Sequence, residues 1–223
     1  MPLRSVNAAP AIAALFAEGA VAFQTQQKFS ADSLLPEEQQ YLLRAAPKRI
    51  QEFAAGRACA RAALLQLGFG SVALPMGADR APQWPGGATG SITHTDGFCA
   101  AVAANSARIR AVGLDAEPEF SVQPHLWPRI CTPREFAMLQ TLDEQAAVGA
   151  ATLIFSAKEA FYKCQYTLTG QWLGFADLSV VIEAGRFTIE PAQALQIADL
   201  VPAPWPGRYL HEAGRVITGL CIV

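Results

Sequence analysis

The sequence predicts an α+β fold made of two halves of similar content that meet near residue 110. Helix-like and strand-like stretches come in blocks, in the order helices, strands, helices, strands, a pattern of segregated layers rather than of alternating crossover units. Short Gly-containing turns separate the predicted strands as hairpins. The chain has 223 residues, 52% of them hydrophobic, enough for one large domain or two small ones and too apolar for a disordered chain.

The elements follow in order. Residues 35–67 read as helix: Pro36-Glu37-Glu38 makes a start with acids in the first turn, where they favour the helix dipole. Pro47 starts a second helix, in which Phe53, Ala60, Leu64 and Leu67 recur at helical spacing and which Gly68 ends,. Arg49, Arg57 and Arg61 decorate it. Gly56 in its middle costs about 1 kcal/mol relative to Ala, which suggests close approach by another backbone or a ligand. Residues 70–90 read as loop. Strands 90–94 and 98–104 flank the turn Thr95-Asp96-Gly97, and a third strand covers 110–117. A Pro-rich irregular stretch leads to helices over 133–141 and 143–166. Strands then cover 177–183, 186–190, 208–212 and 215–222. The two halves share no sequence repeat.

Composition excludes several classes. No apolar run approaches the length of a membrane span,. The start Met1-Pro2-Leu3-Arg4, followed by an Ala-rich stretch broken by Pro10 and Glu18, is a poor secretion signal, so the expected location is the cytoplasm,. Five scattered cysteines without a C-x-x-C pair argue against a disulfide framework and a zinc site,. The three histidines have no metal-binding spacing, and a net charge of −2 does not fit a nucleic-acid binder,.

Two segments carry the chemistry. Gly113-Leu114-Asp115-Ala116-Glu117 puts two carboxylates at i and i+2, on one face of a strand,. Val112, Gly113 and Leu114 lead into them, and Pro118 stops the strand,. Acids at the end of a buried strand are costly unless something pairs with them. Phe155-Ser156-Ala157-Lys158-Glu159-Ala160-Phe161-Tyr162-Lys163 puts Glu159 and Lys163 at i and i+4 on one helix face,. Three carboxylates and a lysine converging on one spot suit a hard divalent cation and a phosphate-bearing substrate. The plainer alternative is a D-x-E on a solvated strand edge and a surface ion pair worth a few tenths of a kcal/mol.

Other candidates stay open on the residues alone. His94 closes the strand Gly90-Ser91-Ile92-Thr93-His94 and is either a satisfied structural residue or a phosphate contact helped by the Thr93 hydroxyl,. Arg49 and Arg57 are either solvated helix charges or one edge of an anion site, where guanidinium forks bind phosphate well. Trp84, in Ala81-Pro82-Gln83-Trp84-Pro85-Gly86-Gly87, either anchors a rigid turn or covers an adenine ring.

Together these residues resemble the 4′-phosphopantetheinyl transferases, and within them the monomeric surfactin- and enterobactin-type branch. The resemblance rests on residues 49–64, 81–85, 90–94, 113–117 and 155–163, five motifs in the family's order that span most of the chain. It implies two α+β halves related by pseudo-twofold symmetry, 1–110 and 111–223, with the active site in a cleft between them. It implies that Asp115, Glu117 and Glu159 ligate Mg²⁺, with Mn²⁺ possible on the same oxygens. Lys158 and Lys163 would lie along the pyrophosphate of coenzyme A, and Arg49, Arg57 and His94 would hold its 3′-phosphate. Some relatives carry a lysine about where Met76 stands; here either Arg80 takes over its 3′-phosphate contact or the contact is absent.

The implied reaction moves phosphopantetheine from coenzyme A to a serine of an apo-carrier protein and releases 3′,5′-adenosine diphosphate. Glu159 is the expected general base, and Lys163 the cation at the transferred phosphate. The carrier, whether of fatty-acid, polyketide or peptide (including siderophore) synthesis, is not fixed by the sequence. Two rivals are a Mg²⁺-dependent phosphohydrolase acting on a coenzyme A-like pyrophosphate and a non-catalytic coenzyme A-binding module. The second has no use for Glu159.

Overall fold

The computed structural model describes residues 5–42, 45–197, 199 and 201–223. The segment Met1–Arg4, on which the reading of the N-terminus as a poor secretion signal depends, lies outside them. The fold is α+β, with two sheets and two long helices among the described residues. The chain divides into two compact units, one running to Val112 with Val223 added, the other Gly113–Ile222.

The first unit contains β1 (Asn7–Ala8), α1 (Pro10–Ala13), β2 (Val21–Thr25), α2 (Pro36–Gln39), α3 (Pro47–Gln66), β3 (Ala88–Thr95), β4 (Phe98–Asn105) and the start of β5 (Ala111–Pro118). Its sheet is antiparallel in the order β1-β2-β4-β3. Pro47 stands in the first turn of α3, where its missing N–H has no intrahelical partner to lose. The helix buries an Ala-rich face with Phe53 and Leu64 against Cys99, Ala101 and Ala103 of β4. Gly56 is where α3 meets the sheet: a Cβ there would stand 2.8 Å from Ile92 Cγ2 of β3. The close neighbour is therefore a side chain, neither backbone nor ligand as the sequence suggested. Strands β1 and β2 were not foreseen. Val21-Ala22-Phe23 becomes a strand by pairing with Ala101–Ala103, some eighty residues away, which local patterning does not register.

The second unit contains most of β5, then α4 (Trp127–Ile130), α5 (Pro133–Leu139), α6 (Glu144–Thr169), β6 (Leu178–Glu183), β7 (Arg186–Pro191), β8 (Trp205–Glu212) and β9 (Arg215–Ile222). Its sheet runs β5-β9-β8-β7-β6. Asp143 caps α6 by accepting from Ala146 N at 2.9 Å, and Gly170 ends it in the left-handed region, as a C-terminal glycine should. Gly113 sets the approach of β5 to α6. A Cβ there would fall 1.8 Å from Ala160 O, so only glycine lets strand and helix lie this close.

Each unit also buries one acid at the third position of a short helix. In the first, Glu38 accepts from Leu35 N, Leu74 N and Arg61 Nη1 (3.0, 2.9 and 2.6 Å), and Arg61 donates on to Ser33 O. In the second, Glu135 accepts from Thr132 N, Val180 N and Lys158 Nζ (2.6, 2.7 and 2.7 Å). A proline opens each short helix and the cation comes from the long one. Arg61, read from the sequence as one of the charges decorating its helix, is thus buried. Among the described residues, no helix is long and apolar enough to cross a membrane.

Two consequences are measurable. Gly113→Ala should destabilise the protein by at least the ~1–3 kcal/mol of an overpacked core, read as a drop in denaturant midpoint, whereas Gly68→Ala, with nothing within 4 Å of the new Cβ, should lose only the strain of its positive φ. Comparable losses at both positions would remove the close approach of β5 to α6 as the reason for Gly113.

Candidate active site

The apolar run of β5 forces every second side chain onto α6, and this brings the second unit's polar residues together. Asp115, almost wholly buried, receives Lys163 Nζ on Oδ1 at 2.7 Å and Ser156 Oγ on Oδ2 at 2.8 Å. Lys163 also donates to Leu114 O at 3.1 Å. Glu117, two residues on and on the same strand face, is pushed up to about 7 by burial first and then by the charge of Asp115; Glu159 adds to this and Lys163 opposes it. Glu159 is raised as well, again by burial first, with Lys163 lowering and Asp115 raising it. The two sequence segments therefore converge on a single electrostatic cluster, Asp115, Glu117, Glu159 and Lys163.

Three carboxylates against one ammonium leave two negative charges without a counter-charge when all are ionised. The donor set is all hard oxygen, which suits Mg²⁺ or Mn²⁺ and fits the group that the resemblance implies. Among the described residues no three His, Cys, Asp or Glu side chains already stand in position to hold a metal ion. The ammonium of Lys163 is what lies on Asp115 Oδ1 here.

Lys158 corrects an expectation. Expected beside a pyrophosphate, its side chain is fully buried and its ammonium is committed to Glu135 Oε2, Ile130 O and Phe175 O at 2.7, 2.8 and 2.9 Å. All three ammonium donors are used. Burial lowers its pKa while Glu135 raises it. It is a structural cation, and breaking such a buried pair costs about 3–5 kcal/mol.

In the first unit, α3 spaces Arg49, Phe53 and Arg57 by four residues, so both guanidinium groups lie on the Phe53 ring, 5.9 and 3.9 Å from its centroid,. Arg49 Nη1 stands 3.3 Å from His94 Nε2, and His94 Nδ1 stands 3.8 Å from Glu52. Arg57 is buried and pushed down to about 10, chiefly by burial, with Arg49 and Arg61 adding like-charge repulsion. Its Nε donates to Leu74 O, but its buried Nη2 has no partner among the described residues. A buried guanidinium nitrogen left unpaired is costly, and an anion beside Arg49 and His94 would satisfy it. Thr93 does not assist: alternation along β3 turns it to the face opposite His94, where it is buried. Arg80 is exposed on the loop before Ala81, with a left-handed φ of 69°. The sequence did not point to Glu52, to Ser156 or to Thr218, which stands 2.9 Å from Ser156. Only Ser156 carried a local signal, as a hydroxyl on the otherwise apolar face of α6 that also bears Glu159 and Lys163.

Comparison with known proteins gives the family of the chain. The profile of the 4′-phosphopantetheinyl transferase N-terminal domain matches residues 37–104, and that of the 4′-phosphopantetheinyl transferase superfamily matches 111–218. The 4′-phosphopantetheinyl transferase Svp of Streptomyces mobaraensis is 38% identical over 201 residues, 85% of this chain and 78% of that one. The 4′-phosphopantetheinyl transferase Npt of Nocardia iowensis is 39% identical over 148 residues, 66% of each chain. Enterobactin synthase component D of Escherichia coli is 36% identical over 142 residues, 63% of this chain and 65% of that one. The chain belongs to the 4′-phosphopantetheinyl transferase superfamily, in its surfactin- and enterobactin-type branch.

The raised pKa of Glu117 gives a signed pH dependence. Its folded value lies above its ordinary value of 4.5, so its contribution to stability is full below pH 4.5 and is lost as the pH rises through about 7. In metal-free protein, Glu117→Gln should therefore gain thermal stability on the wild type steadily from pH 4.5 to 7.5. A gap between the two melting temperatures that stays flat over that range would show that Glu117 carries no such strain.

Proposed function

We propose that this chain transfers 4′-phosphopantetheine from coenzyme A to a serine hydroxyl of an apo-carrier protein, leaving holo-carrier protein and 3′,5′-adenosine diphosphate. The observation that carries the reading is the cluster of Asp115, Glu117, Glu159 and Lys163, in which burial and then the neighbouring carboxylates push Glu117 up to about 7 against the opposing charge of Lys163. Family membership supports the reaction class. A pyrophosphate-cleaving transfer needs positive charge where the leaving oxygen becomes negative. Mg²⁺ bound by Asp115, Glu117 and Glu159 would supply that neutralisation at the pyrophosphate.

The roles of the individual residues are part of the proposal. Arg49, Arg57 and His94 take the 3′-phosphate, with the unpaired Arg57 Nη2 as one donor. Lys163 moves from Asp115 to the pyrophosphate and offsets its charge. Glu159, raised above an ordinary carboxylate, accepts the serine proton directly or through a water as serine Oγ bonds to the β-phosphorus and the bond from that phosphorus to the bridging oxygen breaks. The pantetheine-bearing phosphate ends on serine and the leaving group departs with the bridging oxygen.

Two tests follow. Arg57→Ala and His94→Ala should raise KM for coenzyme A, and the defect should shrink with dephospho-coenzyme A, because a lost contact matters only when its partner group is present. Equal losses with both substrates would remove the 3′-phosphate assignment. Glu159→Gln should retain coenzyme A binding and lose transfer by about two to four powers of ten, the range for a general base. Transfer near the wild-type rate at saturating Mg²⁺ would transfer the base role to another group.

A further inference from the structure

We propose that Ser156 and Thr218 are positioning residues that hold the Asp115 carboxylate in its metal-ligating orientation; the proposal rests on the metal-site reading above. Both side chains are fully buried. Ser156 Oγ donates to Asp115 Oδ2 at 2.8 Å, which uses its single proton,. Thr218 Oγ1 of β9 lies 2.9 Å from Ser156 Oγ and donates to Ser156 O at 3.0 Å. With the serine proton given to Asp115, the threonine proton is shared between the carbonyl and hydroxyl oxygens of Ser156. The hydroxyls thus form a directed chain from β9 through α6 to β5.

The direction matters. A serine inside a helix ordinarily bonds back to the carbonyl four residues earlier. Here its hydroxyl is turned outward to a carboxylate, with Thr218 Oγ1 beside one of its lone pairs. Asp115 is consequently gripped at both oxygens, by Ser156 on Oδ2 and by Lys163 on Oδ1. When Lys163 leaves for the pyrophosphate, Ser156 remains on Oδ2 and keeps the carboxylate plane from turning. Outer partners of this kind commonly account for a 10–100-fold effect on metal affinity.

The test is Mn²⁺ affinity, read by electron paramagnetic resonance of the free ion with coenzyme A present and no carrier protein, so that no turnover enters. Ser156→Ala should weaken Mn²⁺ binding by about 10–100-fold while leaving coenzyme A affinity in metal-free buffer unchanged. Thr218→Val should weaken it in the same direction, and Thr218→Ser, which keeps the hydroxyl, should restore it. The double variant should bind Mn²⁺ no worse than Ser156→Ala alone, because Thr218 acts only through Ser156. In turnover, the variants should show a raised KM for the metal and a kcat that recovers at saturation. Wild-type Mn²⁺ affinity in Ser156→Ala, with binding lost in Asp115→Ala, overturns the relay and leaves the metal site standing. Wild-type affinity in Asp115→Ala overturns the metal reading and the relay with it. Should Ser156→Ala fail to fold, the Thr218→Val and Thr218→Ser pair decides: equal affinities overturn the proposal.

Discussion

A buried carboxylate on an apolar strand must be satisfied from the neighbouring element, and Asp115 takes Ser156 and Lys163 from α6. That requirement sets the rest of the second unit. Gly113 brings β5 close enough for the contact, Ser156 and Lys163 stand seven residues apart on the facing helix stripe, and Glu159 falls between them by helical spacing alone. Burial first, and then the charge that Lys163 does not cover, raises both glutamates. A cluster built this way is poor for stability and suited to a dication, the usual sign of residues kept for chemistry.

The same burial problem is solved a second way by Glu38 and Glu135. There each acid is saturated with donors and a full countercharge from the long helix. These pairs leave nothing for a ligand and fix the rotation of α3 and α6 about their axes. The contrast separates structural from reactive charge: Lys158 has three acceptors and no exposure, whereas Lys163, five residues on, has two and remains partly exposed.

What the sequence revealed was local. Pro47 at the start of α3, the turn at Asp96-Gly97, the shared face of Asp115 and Glu117 and the i,i+4 pair Glu159–Lys163 are consequences of periods of 3.6 and 2. What it concealed was non-local. Lys158 looks like its neighbour Lys163 until Glu135, 23 residues away, claims it. The partner of Ser156 lies 62 residues on, and β2 exists because β4 pairs with it. Thr93 was misjudged for a different reason: alternation along β3 already excluded its sharing a face with His94.

The central claim, that the acid cluster directs a metal-dependent transfer of phosphopantetheine, is tested most directly by intact-mass analysis. The protein would be incubated with coenzyme A and a panel of apo-carrier proteins, with Mg²⁺ or with EDTA, while 3′,5′-adenosine diphosphate is quantified. A carrier should gain one phosphopantetheine for each 3′,5′-adenosine diphosphate released, with both products lost in EDTA. Coenzyme A consumed while every carrier keeps its mass, or modification that persists undiminished in EDTA, would contradict it.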